Sequence, residues 1–262
     1  MKIMIAAALL SLAMTGCGVI DEPVYVSDDS AGCQPLTCAA DAEEAPSVEN
    51  LFAERERAGD RKLISVNNIM QNPELPTGCE CVSLTILLNH YGYDVDKLTL
   101  AREYQPKQEF YWYDGMLCGA DFRTTFAGDP ESEDSYGCYA PCIAATANNF
   151  FCANGQEAQA EDISGTDFDR LLTDYISNDE PVLIWVTNKE LHEPEYTTVW
   201  NTPDGEQMQW LAYEHCVVLT GFDRKDGKIY VSDPLVGNTS YSYERIKQRY
   251  IDMGQQAVCI DK

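Results

Sequence analysis

One stretch of this sequence pairs a reactive side chain with a position that would activate it. Cys79 follows Pro76 and Gly78, which favour a tight turn, and precedes leucines at helical spacing. The pattern predicts an amphipathic helix that begins at Cys79 and is closed by Gly92. A thiol at a helix N-terminus lies near the positive end of the helix dipole, which favours its thiolate. Cys79 is therefore a candidate nucleophile.

The structural alternative for Cys79 is a disulfide. The chain has 11 cysteines, and in an exported protein a given cysteine is more often half of a disulfide than a catalyst. Cys81 lies only two residues further on, about 200° around the helix axis from Cys79. It cannot share a cleft with Cys79, and we expect it to be a buried thiol.

A thiol nucleophile needs a base, and the chain has three histidines. His90 falls about 16 Å along the same helix from Cys79, which is too far. His192 lies in a charged segment, whereas His215 starts an apolar strand, where a polar side chain must face a cleft or find partners. His215 is the candidate base, and its alternative is a structural histidine. The separation of 136 positions from Cys79 to His215 is typical of papain-like enzymes.

The imidazole in turn needs a partner that fixes its tautomer. Asp233 ends the strand that follows the one begun by His215, and the turn at 223–227 predicts an antiparallel hairpin. The end of the second strand then lies beside the start of the first, so His215 and Asp233 are expected neighbours. The alternative for Asp233 is a turn residue before Pro234.

The elements that must position these residues are segregated along the chain. Helices are predicted first and strands afterwards, and this order indicates an α+β fold in which a helical part precedes an antiparallel sheet. The helices are expected at 79–92, 95–104, 142–151 and 166–176, with Thr166 as an N-cap, and the strands at 181–187, 214–221, 228–233 and 256–260.

Five segments resemble the stand-alone, secreted relatives of the double-glycine (bacteriocin-leader-processing) cysteine peptidases, the peptidase C39-like group, whose fold is papain-like. They are Leu75–Leu84, Phe126–Pro130, Tyr136–Pro141, His215–Asp223 and Asp233–Leu235. The likeness runs from about Leu63 to Ile260.

By position, the resemblance implies Cys79 as nucleophile, His215 as general base and acid, Asp233 as orienting residue and Gln71 as oxyanion donor. Gln71 stands eight residues before Cys79, where the wider papain-like pattern has six, so the loop must bulge or another donor must serve.

These residues predict peptide-bond hydrolysis through a Cys-His-Asp triad and a thioester intermediate, with a peptide or protein as substrate. No cofactor is implied, and the histidines and cysteines do not have zinc-site spacing. Two other functions stay open. A cell-wall amidase or transpeptidase would use the same triad on another amide, and a non-catalytic surface binding lipoprotein would need the fold only.

The N-terminus predicts export. Residues 1–16 have one positive charge, a short apolar run and small residues, and the segment from Leu12 to Cys17 resembles the lipobox of bacterial lipoproteins. An ordinary signal peptide is the alternative. We expect residues 17–60 to be an acidic tether and residues 61–262 to be the peptidase-like domain. The protein is then lipid-anchored through Cys17 at the outer face of a bacterial membrane.

The charge and the cysteine count add two constraints. The formal net charge of −25 argues against binding to nucleic acid or to an anionic membrane through charge. If Cys17 is lipidated and Cys79 is a free nucleophile, nine cysteines remain, so at least one more must be unpaired or intermolecular. We expect it to be Cys81.

Overall fold

The computed structural model describes residues 59–261. The predicted signal peptide, Cys17 and all but the end of the predicted tether lie outside the described residues. Among the described residues, no helix has the length and apolar character that crossing a membrane requires.

Short helices and short strands alternate along the described chain. The helices are α1 (Cys79–His90), α2 (Lys97–Thr99, continued by a π-helical turn at Leu100–Tyr104), α3 (Ala140–Ala153), α4 (Phe168–Arg170, continued by a π-helical turn at Leu171–Tyr175 and a 3-10 turn at Ile176–Asn178), α5 (Asn188–Leu191) and α6 (Tyr243–Asp252). The strands are β1 (Arg61–Leu63), β2 (Lys107–Gln108), β3 (Tyr111–Tyr113), β4 (Met116–Cys118), β5 (Phe126–Ala127), β6 (Gln159–Asp162), β7 (Val182–Thr187), β8 (Tyr196–Asn201), β9 (Gln207–Leu211), β10 (Glu214–Asp223), β11 (Lys228–Asp233), β12 (Gly237–Ser242) and β13 (Ala257–Asp261).

The main sheet of the described region is antiparallel throughout. Its order is β12-β11-β10-β7-β13-β6, and β1 adds a further strand beside the end of β10. β7 is buried along its whole length and β10 along nearly all of it, because both are central strands covered on their two faces. The α+β fold with an antiparallel sheet, predicted from the sequence, is confirmed.

The helix α1 packs against β10 and β7 and also contacts α3. It begins at Cys79, as predicted, and Gly92 has the positive φ of a helix-ending glycine. The helix is not amphipathic, however, because every residue from Cys79 to Leu88 is buried. A helix that is buried all round belongs to the core, and this placement holds the Cys79 end of α1 against the sheet.

Two other predicted helices have different boundaries. α2 begins at Lys97 because the Asp96 side chain caps it, accepting hydrogen bonds from the backbone N–H groups of Leu98 and Thr99. α4 is capped by Asp167 and not by Thr166, since the Asp167 carboxylate accepts from the Asp169 N–H.

A second sheet, ordered β3-β4-β8-β9, is built from segments in which the sequence predicted no strand. An aspartate and a glycine separate β3 from β4 and also β8 from β9. Each run of alternating residues is therefore too short for a strand prediction. Its inner side packs Phe122, Trp200 and Trp210 together, while Trp112 and Tyr113 on β3 are exposed.

Candidate active site

The two predicted partners His215 and Asp233 lie together. β10 and β11 form the expected antiparallel hairpin, in which Val218 pairs with Ser232, so Asp233 falls near the start of β10. The His215 Nε2 atom lies 2.8 Å from Asp233 Oδ1, and both side chains are almost completely buried. Because the aspartate accepts the Nε2 hydrogen, the neutral form of the ring has its lone pair on Nδ1.

Two further contacts hold Asp233 as a carboxylate. The Leu235 backbone N–H donates to Oδ1 at 2.8 Å, and the Tyr241 hydroxyl donates to Oδ2 at 3.2 Å. Burial raises the pKa of Asp233, but the hydrogen bond and charge of His215 and these two donors outweigh it, so the pKa lies below its ordinary value. The Asn68 amide fixes the backbone, donating to the Asp233 carbonyl at 2.9 Å.

The loop that carries Gln71 is fastened beside the same strand end. The Gln71 backbone N–H donates to the Pro234 carbonyl at 2.9 Å. Two successive turns absorb the longer spacing to Cys79, with Leu75 N–H bonded to the Gln71 carbonyl and Gly78 N–H to the Leu75 carbonyl. The Gln71 Nε2 donates one hydrogen to the Pro76 carbonyl at 2.8 Å, which leaves its second hydrogen for another acceptor.

The Cys79 thiol contacts the strand of His215 but not the imidazole itself. Its Sγ accepts a hydrogen bond of 3.4 Å from the backbone N–H of Cys216, the residue after His215. The thiol donates to Glu80 Oε2 at 3.3 Å, and Glu214 Oε2 lies 4.0 Å from the sulfur. Among the described residues, no hydrogen bond joins Cys79 to His215.

Glu80 and Glu214 form a buried pair of carboxyl groups beside the thiol. Both are more than nine-tenths buried. Glu80 Oε1 accepts from the Cys138 backbone N–H at 2.7 Å. A Cβ placed on Gly137 would collide with Glu80 Oε1 and lie 3.0 Å from Glu214 Oε2, so the two carboxyl groups meet at this glycine.

This pair changes the protonation expected for the nucleophile. Burial raises the pKa of Glu80 to about 7, and burial together with the Glu80 charge raises the pKa of Glu214 well above its usual range. Burial and the charges of the two glutamates also raise the pKa of Cys79 far above that of an ordinary thiol. The expectation that the helix N-terminus lowers this pKa is therefore wrong in the described state, and Cys79 is a neutral thiol.

A model of the peptidase C39-like family matches residues 63–258, which is most of the chain. The chain belongs to the peptidase C39-like family. The family and the papain-like fold anticipated by the sequence motifs are thus confirmed.

Two of the proteins that the chain resembles come from Bacillus species. A curated relative, the uncharacterized protein YvpB of Bacillus subtilis (strain 168), is 29% identical over 213 residues, which are 80% of each chain. A crystal structure from Bacillus anthracis, described as a C39-like peptidase, is 29% identical with a TM-score of 0.65 and covers 77% of this chain and 98% of its own. A double-glycine-motif protease from an AMS/PCAT transporter, solved with a leader peptide, is 18% identical with a TM-score of 0.41, over 76% of this chain and 91% of its own.

The other residues of this C39-like domain that the sequence singled out have different surroundings. His90 ends α1, and His192 is exposed beyond α5, where its ring packs on Tyr213. Cys81 is buried as expected, with its sulfur 3.7 Å from the Lys97 carbonyl, and its pKa is raised by burial.

Sequence reasoning missed Glu80 and Glu214. A signal was available, because each is a charged residue inside an otherwise apolar segment, one directly after Cys79 and the other directly before His215. Charged residues are almost never fully buried unless they are paired, so a glutamate within a core helix or a core strand predicts a special environment.

Proposed function

We propose that this C39-like protein is a cysteine peptidase that hydrolyses peptide bonds through Cys79, His215 and Asp233. The observation that carries the proposal is the buried His215–Asp233 pair, at the start of the strand whose next residue, Cys216, contacts the Cys79 sulfur. The C39-like family and fold support the same class of chemistry.

In this mechanism His215 creates the nucleophile during the reaction. The Cys79 thiol turns from the carboxyl pair towards Nδ1 of His215, gives up its proton there and attacks the carbonyl carbon of the scissile peptide bond. Asp233, ionised and bonded to Nε2–H, stabilises the imidazolium that forms. The imidazolium then protonates the leaving amine, and water resolves the thioester to regenerate the thiol.

The developing oxyanion needs donors that are already in place. The first N–H groups of α1 have no acceptor within the helix, and the Cys79 N–H is the first of them. The second Nε2 hydrogen of Gln71 is the other proposed donor, because its loop is bonded next to Asp233 and its side chain is buried. Two such donors are the usual composition of an oxyanion hole.

The proposed setting is extracytoplasmic, with a peptide or protein as substrate. Support comes from the export signal predicted at residues 1–16, from Cys17 in its lipobox-like segment and from the net charge of −25, which disfavours nucleic acid as partner. We place the protein at the outer face of a bacterial membrane, anchored through Cys17.

Chemical labelling combined with peptide cleavage tests the peptidase. The intact protein is treated with an electrophilic thiol probe, the modified residue is identified by mass spectrometry, and a peptide library is screened for cleavage. We expect the exposed Cys152 to react with the probe whether or not His215 is present, and Cys79 to react only when His215 can take its proton. Cleavage should be lost almost completely in Cys79→Ala and in His215→Ala. The double variant should be little worse than either single variant, because the two residues act as one unit.

The matched control is Cys152→Ser, since Cys152 is the exposed thiol among the described cysteines. It should cleave peptides like the wild type. Full cleavage by Cys79→Ala would refute the assignment of the nucleophile. Cleavage of cell-wall amides with no cleavage of any library peptide would favour the amidase alternative.

A further inference from the structure

Cys79, Glu80 and Glu214 present three metal-binding atoms to one point. One ligand atom from each residue, the thiol sulfur and two carboxylate oxygens, lies within 4.8 Å of the other two, and all three side chains are buried. This arrangement is a cluster of mixed donor chemistry, which differs from the exposed acidic groups common on protein surfaces.

The spacing of the atoms matches a tetrahedral ion. With a Zn–S bond of about 2.3 Å, a Zn–O bond of about 2.1 Å and a tetrahedral angle, sulfur and oxygen ligands lie about 3.6 Å apart. The Cys79 sulfur is 3.3 Å from Glu80 Oε2 and 4.0 Å from Glu214 Oε2. The two distances bracket the ideal value. The two carboxylate oxygens lie within 4.8 Å of each other, against about 3.4 Å in a tetrahedral site, so the carboxyl groups draw together where they are further apart than that.

An independent observation also indicates a ligand. Glu214 Oε1 is buried and has no hydrogen-bond partner, although its carboxyl group is aimed at the thiol. Among the side chains that the structure describes, no lysine or arginine forms an ion pair with Glu80 or Glu214. Two buried carboxyl groups without a protein cation need either a shared proton or a bound cation.

We propose that Cys79, Glu80 and Glu214 form a three-ligand site for Zn²⁺, with the fourth position open to water. Thiolate sulfur selects a borderline-soft ion such as Zn²⁺ over Mg²⁺ or Ca²⁺, which prefer oxygen ligands in larger numbers. Binding requires the thiol proton and the proton shared by the carboxyl pair to leave for solvent, and the positive charge of the ion then offsets the negative charge of the thiolate and the carboxylates.

Zinc at this site would block the peptidase. The ion binds the sulfur lone pair with which Cys79 attacks a carbonyl carbon, so the zinc-bound protein is inactive. Removal of the ion restores the active enzyme. This consequence rests on the proposed function, whereas the binding itself does not. The spacing of the residues gave no sign of the site because two ligands are adjacent and the third is 134 residues beyond Glu80.

Cobalt spectroscopy on the full-length protein tests binding without any activity measurement. The protein is stripped with a chelator and titrated with Co²⁺, and the ultraviolet band of cobalt–thiolate charge transfer is followed, with Zn²⁺ added afterwards as competitor. We expect a band at one equivalent that Zn²⁺ displaces. Cys79→Ser should abolish the band, and Glu214→Gln and Glu80→Gln should each weaken binding at least tenfold.

Two controls define the result. Cys152→Ser, which removes an exposed thiol, should keep the band, and circular dichroism should show that each variant is folded. A band that persists in Cys79→Ser, or unchanged affinity in both glutamine variants, would overturn the site.

Peptide cleavage by the stripped protein is measured in parallel. If the stripped protein cleaves no peptide, the proposed peptidase function is contradicted but the metal site is not. If it cleaves peptides and Zn²⁺ does not inhibit cleavage, the proposed blocking by zinc is contradicted.

Discussion

Replacing Glu80 by glutamine should change how the stability of the protein depends on pH. Glutamine keeps the shape of the side chain and an oxygen that can accept from the Cys138 N–H, but it cannot ionise. The pKa of Glu80 is raised by burial from an ordinary 4.5 to about 7. Between about pH 4.5 and pH 7, the Glu80 carboxyl is therefore mostly protonated in the folded wild type and mostly ionised in the unfolded chain.

The sign and size of the effect follow from this difference. A group whose pKa is raised on folding contributes stability that is fully present below about pH 4.5 and is lost as the pH rises through about 7. Each unit of pKa difference corresponds to about 1.36 kcal/mol, so the full change is about 3 kcal/mol, most of which falls between pH 5 and pH 8. Glu80→Gln should escape this loss.

The assay is urea unfolding of the wild type and of Glu80→Gln at pH 5 and pH 8, with a chelator present throughout. We expect the wild type to lose about 2 to 3 kcal/mol more than the variant between the two pH values. Glu157→Gln, a change at an exposed loop carboxyl, should follow the wild type. Parallel pH dependences for wild type and Glu80→Gln would show that Glu80 ionises in the fold as it does in water, and the reasoning on the buried pair would fail.

Four other predictions concern the site and the chain around it. Gln71→Ala should lower the cleavage rate roughly 10²- to 10³-fold with the fold intact, as expected for loss of an oxyanion donor; an unchanged rate would exclude that role. Gly137→Ala should lower the free energy of unfolding by about 1 to 3 kcal/mol, because its Cβ would meet both carboxyl groups, and unchanged urea unfolding would contradict the close approach. Cys17→Ala should move the protein from membranes to the soluble fraction, and continued co-sedimentation with membranes would exclude the lipid anchor. Thiol titration of the unfolded, unreduced protein should count at least eight free thiols, the eight described cysteines being unpaired, and a lower count would reveal a disulfide among them.

The relations that the sequence predicted well are local ones. The start of α1 at Cys79 depends on the turn residues just before it, and the contact of His215 with Asp233 depends on a five-residue hairpin turn. Both follow from backbone geometry within a few tens of residues. The boundaries of α2 and α4 were less accurate, because neighbouring aspartates compete for the cap position.

The protonation state of Cys79 could not be predicted from its position at the start of α1 alone. A helix N-terminus stabilises a nearby negative charge by about 0.3 to 2 kcal/mol, whereas taking an ion out of water costs several kcal/mol. The second term depends on how deeply α1 is buried and on Glu214, which comes from a strand 135 residues away. Only the tertiary docking of α1 on β10 brings these groups together, so the larger effect was absent from the local pattern.

A nucleophile kept neutral by its surroundings sets a condition on the proposed mechanism. Because the pKa of Cys79 is raised, almost no thiolate exists before the substrate binds, and the proton has to move while the sulfur attacks. His215 is then indispensable, since no pre-formed thiolate could sustain a slower reaction without it. This is the physical reason for expecting His215→Ala to be as damaging as Cys79→Ala. Residual cleavage in His215→Ala that rises with pH would instead indicate that solvent can deprotonate the thiol.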